Sequence, residues 1–243
     1  MVAWEPRLRR EEAFFERLFD GAGTRSVLDA ACGTGMHVVS FARRGLRAAG
    51  ADLSPSMIAQ AQRHAAEAGV SVELAAAGFG GLSAAFRGPF DAVTCLGNSL
   101  PHLLDDAALA ACFSDFASLL RPGGILVIQN RNYDRLLRER QRFMPVAARA
   151  DAEGETLFLR MTDYPALGAP DPERIEFTIV TLKKRAGAWT QSTQTTPLRV
   201  LRRVTVERAL AAAGFTAVEV YGSYGKTSFE AEDAADLVAI ARR

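Results

Sequence analysis

A chain of 243 residues, 49% of them apolar, is long enough for one large domain with a sizeable core, and its formal charge of +1 argues against a protein built around a polyanion. No run of about eighteen apolar residues occurs and Met1 to Asp20 lacks a signal-peptide core, so a soluble, cytoplasmic protein without a membrane partner is expected. Cys32, Cys95 and Cys112 show no CxxC spacing, and His37, His64 and His102 show no HxxxH pairing. Neither disulfide nor metal is expected.

In chain order, Glu5 to Asp20 reads as an amphipathic helix, with Leu8, Phe14, Phe15, Leu18 and Phe19 set among charges. Its arginines, Arg7, Arg9 and Arg10, form a solvated face from which one could lie over a ligand. Ser26 to Asp29 is a buried strand, Met36 to Arg44 a helix stopped at Gly45, and Leu46 to Asp52 a second strand. Ser54 and Pro55 supply an N-cap and a first-turn proline for a helix to Ala68. Strands follow at Val70 to Leu74, Phe90 to Leu96 and Ile125 to Asn130, with a helix at Asp105 to Leu120. This alternation indicates a parallel sheet with helices on both faces.

After the fifth strand the rhythm changes. Arg131 to Arg142 is polar and partly helical, and Thr156 to Asp163, Ile175 to Lys184 and Trp189 to Thr196 read as strands, the last two joined by an Ala186-Gly187 hairpin turn. Tyr164 to Pro172 is a proline-rich loop. The stretch 150–200 is therefore expected to be a small antiparallel lid inserted in a single domain of 1–243. Thr205 is expected to cap a helix ending at Gly214, before strands Ala217 to Tyr221 and Ala235 to Ala241.

The chemistry is concentrated at Val27-Leu28-Asp29-Ala30-Ala31-Cys32-Gly33-Thr34-Gly35, a strand entering a small-residue turn that opens a helix. Gly33 and Gly35 let main chain approach a ligand where a side chain would clash, and the helix start turns its free N–H groups toward the same space. The second strand ends in Asp52, about twenty residues on, where a carboxylate can take a ribose diol. A dinucleotide fold wants a small residue three positions after the second glycine, and Val38 stands there; Ala31 replaces its first glycine, and Asp29 closes the first strand. Asp-x-Ala-x-Gly-x-Gly resembles the cofactor loop of class I S-adenosylmethionine-dependent methyltransferases, and a nicotinamide dehydrogenase is the less favoured reading. Met57, on the first turn after Asp52, is equally suited to core filling and to contact with a base.

Two further segments are narrower. Leu96-Gly97-Asn98-Ser99-Leu100-Pro101-His102 and Arg131-Asn132-Tyr133-Asp134 are similar to the fourth-strand loop and fifth-strand end of the glycine N-methyltransferases and glycine/sarcosine methyltransferases. The resemblance runs from Arg7 to Asp134. It implies a Rossmann-like fold with a seven-stranded, mostly parallel sheet, and S-adenosyl-L-methionine as cofactor with S-adenosyl-L-homocysteine as product. Carried over by position, cofactor contacts fall on Arg7 (the methionine carboxylate), Ala31, Asp52 (ribose), Gly78 and Phe79 (adenine) and Leu96; the reading of the residues adds Asp29, Gly33, Gly35, Leu53 and Met57 as candidates. Gly78 stands where many methyltransferases hold an Asp for the adenine amino group, so Phe79 is left as a stacking wall. Substrate contacts fall on Asn98 and Arg131; Tyr133 is counted with them as a candidate, and His102 is as suited to core packing as to orienting the loop or contacting the ligand. A planar fork of donors at Arg131 suits a carboxylate.

The chain begins a few residues before Arg7, without the tyrosine-bearing segment of the animal enzymes, and Phe177 matches their lid tyrosine. The expected reaction is N-methylation of glycine or a related carboxylate-bearing amine, by orientation and not by a general base. Alternatives are an O- or N-methyltransferase of a larger metabolite and a binding protein that holds the cofactor without turnover. The partner is then a small-molecule acceptor and not nucleic acid, since the loop after the fourth strand lacks the Asn/Asp-Pro-Pro-aromatic signature. A homo-oligomer is compatible with all of this.

Overall fold

A computed structural model describes residues 4–151, 154–166 and 172–243. Residues 26–29 (β1), 47–52 (β2), 73–76 (β3), 90–95 (β4), 120–131 (β5), 216–221 (β10) and 236–242 (β11) form one sheet in the order β10-β11-β5-β4-β1-β2-β3. The pairs β1·β2, β1·β4, β2·β3 and β4·β5 are parallel, and β11 runs antiparallel between β5 and β10. The strand order reverses at β1, which lies between β2 and β4. Connections that leave a sheet on opposite faces open a crevice beyond the carboxyl ends there.

The inner strands are Ala-, Val-, Leu- and Ile-rich because both faces are covered. On one face lie α1 (Trp4–Ala22), α2 (Met36–Arg43) and α3 (Pro55–Glu67). Phe15 and Phe19 of α1 meet Phe41 of α2 at ring separations of 5.1 and 5.3 Å. On the other face, α5 (Asp106–Leu119) and α7 (Arg203–Ala212) bury Leu109, Cys112, Phe113, Phe116, Val206 and Leu210 over the sheet. Starts expected from the sequence are seen: Ser54 Oγ accepts from the Met57 N–H, and Asp105 Oδ1 accepts from the Ala108 N–H at 2.8 Å. Cys32, Cys95 and Cys112 are buried free thiols.

Val38 has a specific counterpart. A Cβ added to Gly50 of β2 would stand 2.7 Å from Val38 Cγ2 and 3.0 Å from Cys32 Sγ. A dinucleotide fold gains close helix–strand packing with a small residue on the helix; here the strand supplies the space. Gly50→Ala is expected to destabilise the fold by about 1–3 kcal/mol through overpacking, with Val38→Ala recovering part of the loss. Denaturant midpoints that do not move would contradict this close approach.

A second sheet, antiparallel and ordered β6-β7-β8-β9, comprises β6 (Ala147–Asp151), β7 (Gly154–Asp163), β8 (Arg174–Arg185) and β9 (Ala188–Arg199). Ala186 and Gly187 turn β8 into β9 with φ of 48° and 82°. The insertion has four strands, not three, and residues 167–171 of the expected Tyr164 to Pro172 loop lie outside the described residues. Its seam with the main body is apolar: Tyr133 and Leu136 of α6 (Tyr133–Glu139) pack with Ile175 and Leu198.

Two further expectations are corrected. The third strand is Glu73–Ala76, shifted along from Val70 to Leu74, and a short helix α4 (Leu82–Ala85) follows it. The last helix starts at Arg203, and its N-cap is Arg202 without a side-chain bond, so Thr205 lies inside its first turn. The Thr205 N–H already donates to the Arg202 carbonyl. Among the described residues, no helix is long and apolar enough to cross a membrane.

Candidate cofactor and acceptor site

The glycine turn leaves β1 at the crevice and is held from the neighbouring strand. The Asp52 carboxylate accepts from the Gly33 N–H through Oδ2 and from the Ser54 N–H through Oδ1, both at 2.9 Å. It therefore ties the turn to the start of α3. Gly33 has φ 54° and nothing within 4 Å of where a Cβ would stand, so the outer surface of the turn is bare main chain. Gly35 is fixed differently: at φ 76° its missing Cβ would fall 2.6 Å from that of Ala61 on α3.

Beside Asp52 the surface is apolar and uncovered. Leu53 is 79% exposed and Met57 37% exposed. A Cβ on Gly78 would stand 3.1 Å from Leu53 Cδ1, and Phe79 leans edge-on against Phe116 at 5.9 Å. Leu53 and Gly78 thus approach one another beside the Asp52 carboxylate, with the exposed Met57 on the first turn of α3. Asp29 and Leu96 are buried, at 1% and 3% exposure, beneath the turn and the β4 loop. Ala31 is half-buried in the turn. Asp29 Oδ1 has no hydrogen-bond partner, and burial raises the carboxyl above its ordinary range despite the imidazole of His37.

A cavity of about 610 Å³ opens beyond β4 and β5, walled by Arg7, Glu11, Gly97, Asn98, Gln129 and Arg131, with Arg160 of β7 and the Ser223 to Gly225 turn closing other sides. Gly97 and Asn98 both adopt positive φ, at 76° and 65°. The turn is pinned to β5, because the Gly97 N–H donates to Gln129 Oε1 at 2.8 Å and the Asn98 N–H to the Gln129 carbonyl at 3.1 Å. Asn98 Oδ1 accepts from the Arg131 N–H at 3.0 Å, and Nδ2 donates to the Tyr133 hydroxyl at 3.2 Å. The Arg131 guanidinium lines the cavity and has no ion pair among the described residues.

Arg7 reaches the cavity from α1. Its Nε donates to Glu11 Oε1 at 2.8 Å, and Glu11 Oε2 lies 2.6 Å from His37 Nε2. His37 Nδ1 stands 4.0 Å from Asp29 Oδ2. This buried chain ties α1 to the glycine turn. Burial alone would raise the Glu11 carboxyl, but the hydrogen bonds and charges of His37 and Arg7 hold it below its ordinary value.

Two expected substrate residues lie elsewhere. His102 is exposed at the end of a 3-10 turn whose Leu100 and Pro101 point inward, and it is not a wall of the cavity. Tyr133 is 1% exposed and reaches the site only through Asn98; burial pushes its phenol up to about 12, against the opposing hydrogen bond from Asn98. Residues that the sequence reading missed are Glu11, Gln129, Arg160, Tyr224 and Asp236. Glu11 could have been found from its helical spacing to Arg7, and Gln129 from its polarity at the end of an apolar strand. Nothing in the sequence around Arg160 marks it.

Residues 27–124 match the methyltransferase domain family. The chain is 39% identical over 137 residues to a glycine/sarcosine N-methyltransferase of Parasynechococcus marenigrum (strain WH8102), covering 56% of this chain and 49% of that protein. It is 41% identical over 112 residues to a ubiquinone biosynthesis O-methyltransferase of Xanthomonas axonopodis pv. citri (strain 306), covering 46% and 44%. The chain therefore spans about half the length of these curated relatives. In three dimensions it is similar to an S-adenosylmethionine-dependent methyltransferase from Clostridium acetobutylicum ATCC 824, with a TM-score of 0.81 at 16% identity over 96% of this chain and 91% of that one. Residues 27–124 thus match a methyltransferase domain, and the chain as a whole shares the Rossmann-like fold of that Clostridium acetobutylicum enzyme.

Proposed function

We propose that this methyltransferase domain moves the methyl group of S-adenosylmethionine to the nitrogen of a small, carboxylate-bearing amine. The observation that carries the reading is the Arg131 guanidinium, without an ion pair among the described residues, at the carboxyl end of β5 in a cavity that also adjoins Arg7 and Gly97. The narrow resemblance of the Asn98 loop and of Arg131 to Asp134, and the identity with glycine/sarcosine methyltransferases, support the same acceptor class.

When bound, the cofactor supplies an electrophilic methyl on a sulfonium. The glycine turn and Asp52 would hold adenosine, and Arg7, kept in place by Glu11, would take the methionine carboxylate. Asn98 fixes the Arg131 backbone, so that Arg131 can orient the acceptor carboxylate with its amine toward the methyl. The amine attacks as the neutral base, and the proton it then sheds goes to water. The antiparallel sheet acts as a lid, contributing Arg160 to the cavity and excluding solvent.

Arg131→Ala is expected to raise the acceptor KM by about ten- to a hundredfold, the loss of a charged hydrogen-bond pair, while S-adenosylhomocysteine affinity stays within about twofold. Steady-state kinetics paired with calorimetry checks this; equal loss of both would remove Arg131 from the acceptor site. A cavity of about 610 Å³ is larger than glycine needs, and this favours, as a second reading, an O- or N-methyltransferase of a larger metabolite. A labelled-methyl panel of amines, amino acids and phenols separates the two.

A further inference from the structure

One arginine of the cavity is left without an assigned partner once Arg7 takes the cofactor carboxylate and Arg131 the acceptor carboxylate. The cavity walls include Arg7, Arg10, Arg131 and Arg160 against Glu11 and Asp236. Arg7 is neutralised by Glu11 at 2.8 Å, and Asp236 accepts from Gln129 Nε2 at 2.8 Å. Arg160 is different. Its Nη2 reaches only the Pro145 carbonyl, at 3.3 Å, and its Nε is buried without a hydrogen-bond partner. No carboxylate pairs with it among the described residues. A buried guanidinium N–H left unmatched is costly unless a ligand answers it.

We infer that the acceptor carries a second anionic group, received by Arg160 of the lid sheet while Arg131 receives the first, so that the substrate class is an amino acid with an acidic side chain. The inference rests on the amine-methylating reading above and narrows its substrate. Arg131 comes from the parallel sheet and Arg160 from the antiparallel one, so the two guanidinium groups belong to different walls. Glycine would leave Arg160 unanswered. A dicarboxylic amino acid gives each of Arg131 and Arg160 a carboxylate of its own. Arg160 would then also report to the lid that the correct acceptor has arrived, since it lies on β7.

The test separates binding from turnover. L-aspartate, L-glutamate, their side-chain amides and glycine are titrated by calorimetry into the protein saturated with S-adenosylhomocysteine, and the same five are offered with labelled S-adenosylmethionine. A dicarboxylic amino acid should bind about tenfold or more tighter than its own amide and than glycine, as expected for one added charge-assisted pair. Arg160→Gln should reduce that ratio to about twofold or less, and Arg160→Lys should restore part of it, because a point charge replaces a fork. Thermal melts of both variants report on folding independently. Equal binding of acid and amide overturns the inference, as does a preference that survives Arg160→Gln or a complete lack of acceptor binding. Arg160-dependent binding of the dicarboxylate with no methyl transfer would leave the two-anion site standing and remove the amine-methylating reading instead.

Discussion

Replacing Glu11 by Ala is expected to destabilise the protein by about 3–5 kcal/mol, the scale on which removing one partner of a buried ion pair is felt. The carboxylate is 5% exposed and is shared by Arg7 and His37, both of which would be left with their charge or hydrogen bond unanswered. The effect should reach the cofactor, because Arg7 loses the group that aims it at the cavity. Urea denaturation with calorimetry reads both. A double-mutant cycle with Arg7→Ala should show strong coupling, whereas additive losses would mean that the two residues act separately. The pH dependence follows from the lowered carboxyl: the stabilisation is fully present above the ordinary glutamate value of 4.5 and is lost as pH falls through the depressed one.

Asp52→Ala should carry the largest functional effect. The carboxylate organises the turn, bonding the Gly33 and Ser54 N–H groups, and on the proposed function its remaining lone pairs would take a ribose. Its loss both frees the turn and removes a charged acceptor, so cofactor affinity should fall by about 1–3 kcal/mol, roughly five- to a hundred-and-fiftyfold. Asp52→Asn keeps one oxygen and should lie between, because it can serve only one of the two N–H groups. Unchanged affinity in Asp52→Ala by calorimetry would take the residue out of the site.

The parts of this fold that were readable from sequence are those in which local chemistry and tertiary demand agree. Val27 to Gly35 combines a buried strand with glycines, and both glycines of the turn take positive φ in the structure. Ser54 and Asp105 cap their helices as their residue types require. Failures came where tertiary pairing overrode composition. Residues Glu73–Ala76 contain no β-branched residue, yet they form an edge strand because β2 pairs with them, while the more strand-like Val70 to Val72 lies outside it. Ala147–Asp151, to which no element was assigned from sequence, is a strand paired with β7. Thr205 is a good capping type in the wrong place, since the helix begins two residues earlier, and Arg202 next to its start is held by Asp134 of α6 at 3.2 Å.

At the site the same contrast holds. The positions of Asp52, the glycine turn, Asn98 and Arg131 at the carboxyl ends of strands were legible, and that edge is where an open parallel sheet places its ligands. The supporting residues were not. Glu11 and Gln129 act by holding Arg7 and Gly97, and that role appears only once the helix and the strand are brought together. Arg160 lies on a strand folded over the cavity from another sheet, so no spacing in the sequence links it to Arg131. His102 is the reverse case, a chemically able side chain that a three-residue turn leaves exposed.

Titration of S-adenosylhomocysteine into the unmodified protein, with NAD as the parallel ligand, tests the central claim most directly. The account predicts saturable binding of one S-adenosylhomocysteine per chain, raising the melting temperature, and no heat from NAD. Silence toward S-adenosylhomocysteine together with saturable binding of NAD would contradict it.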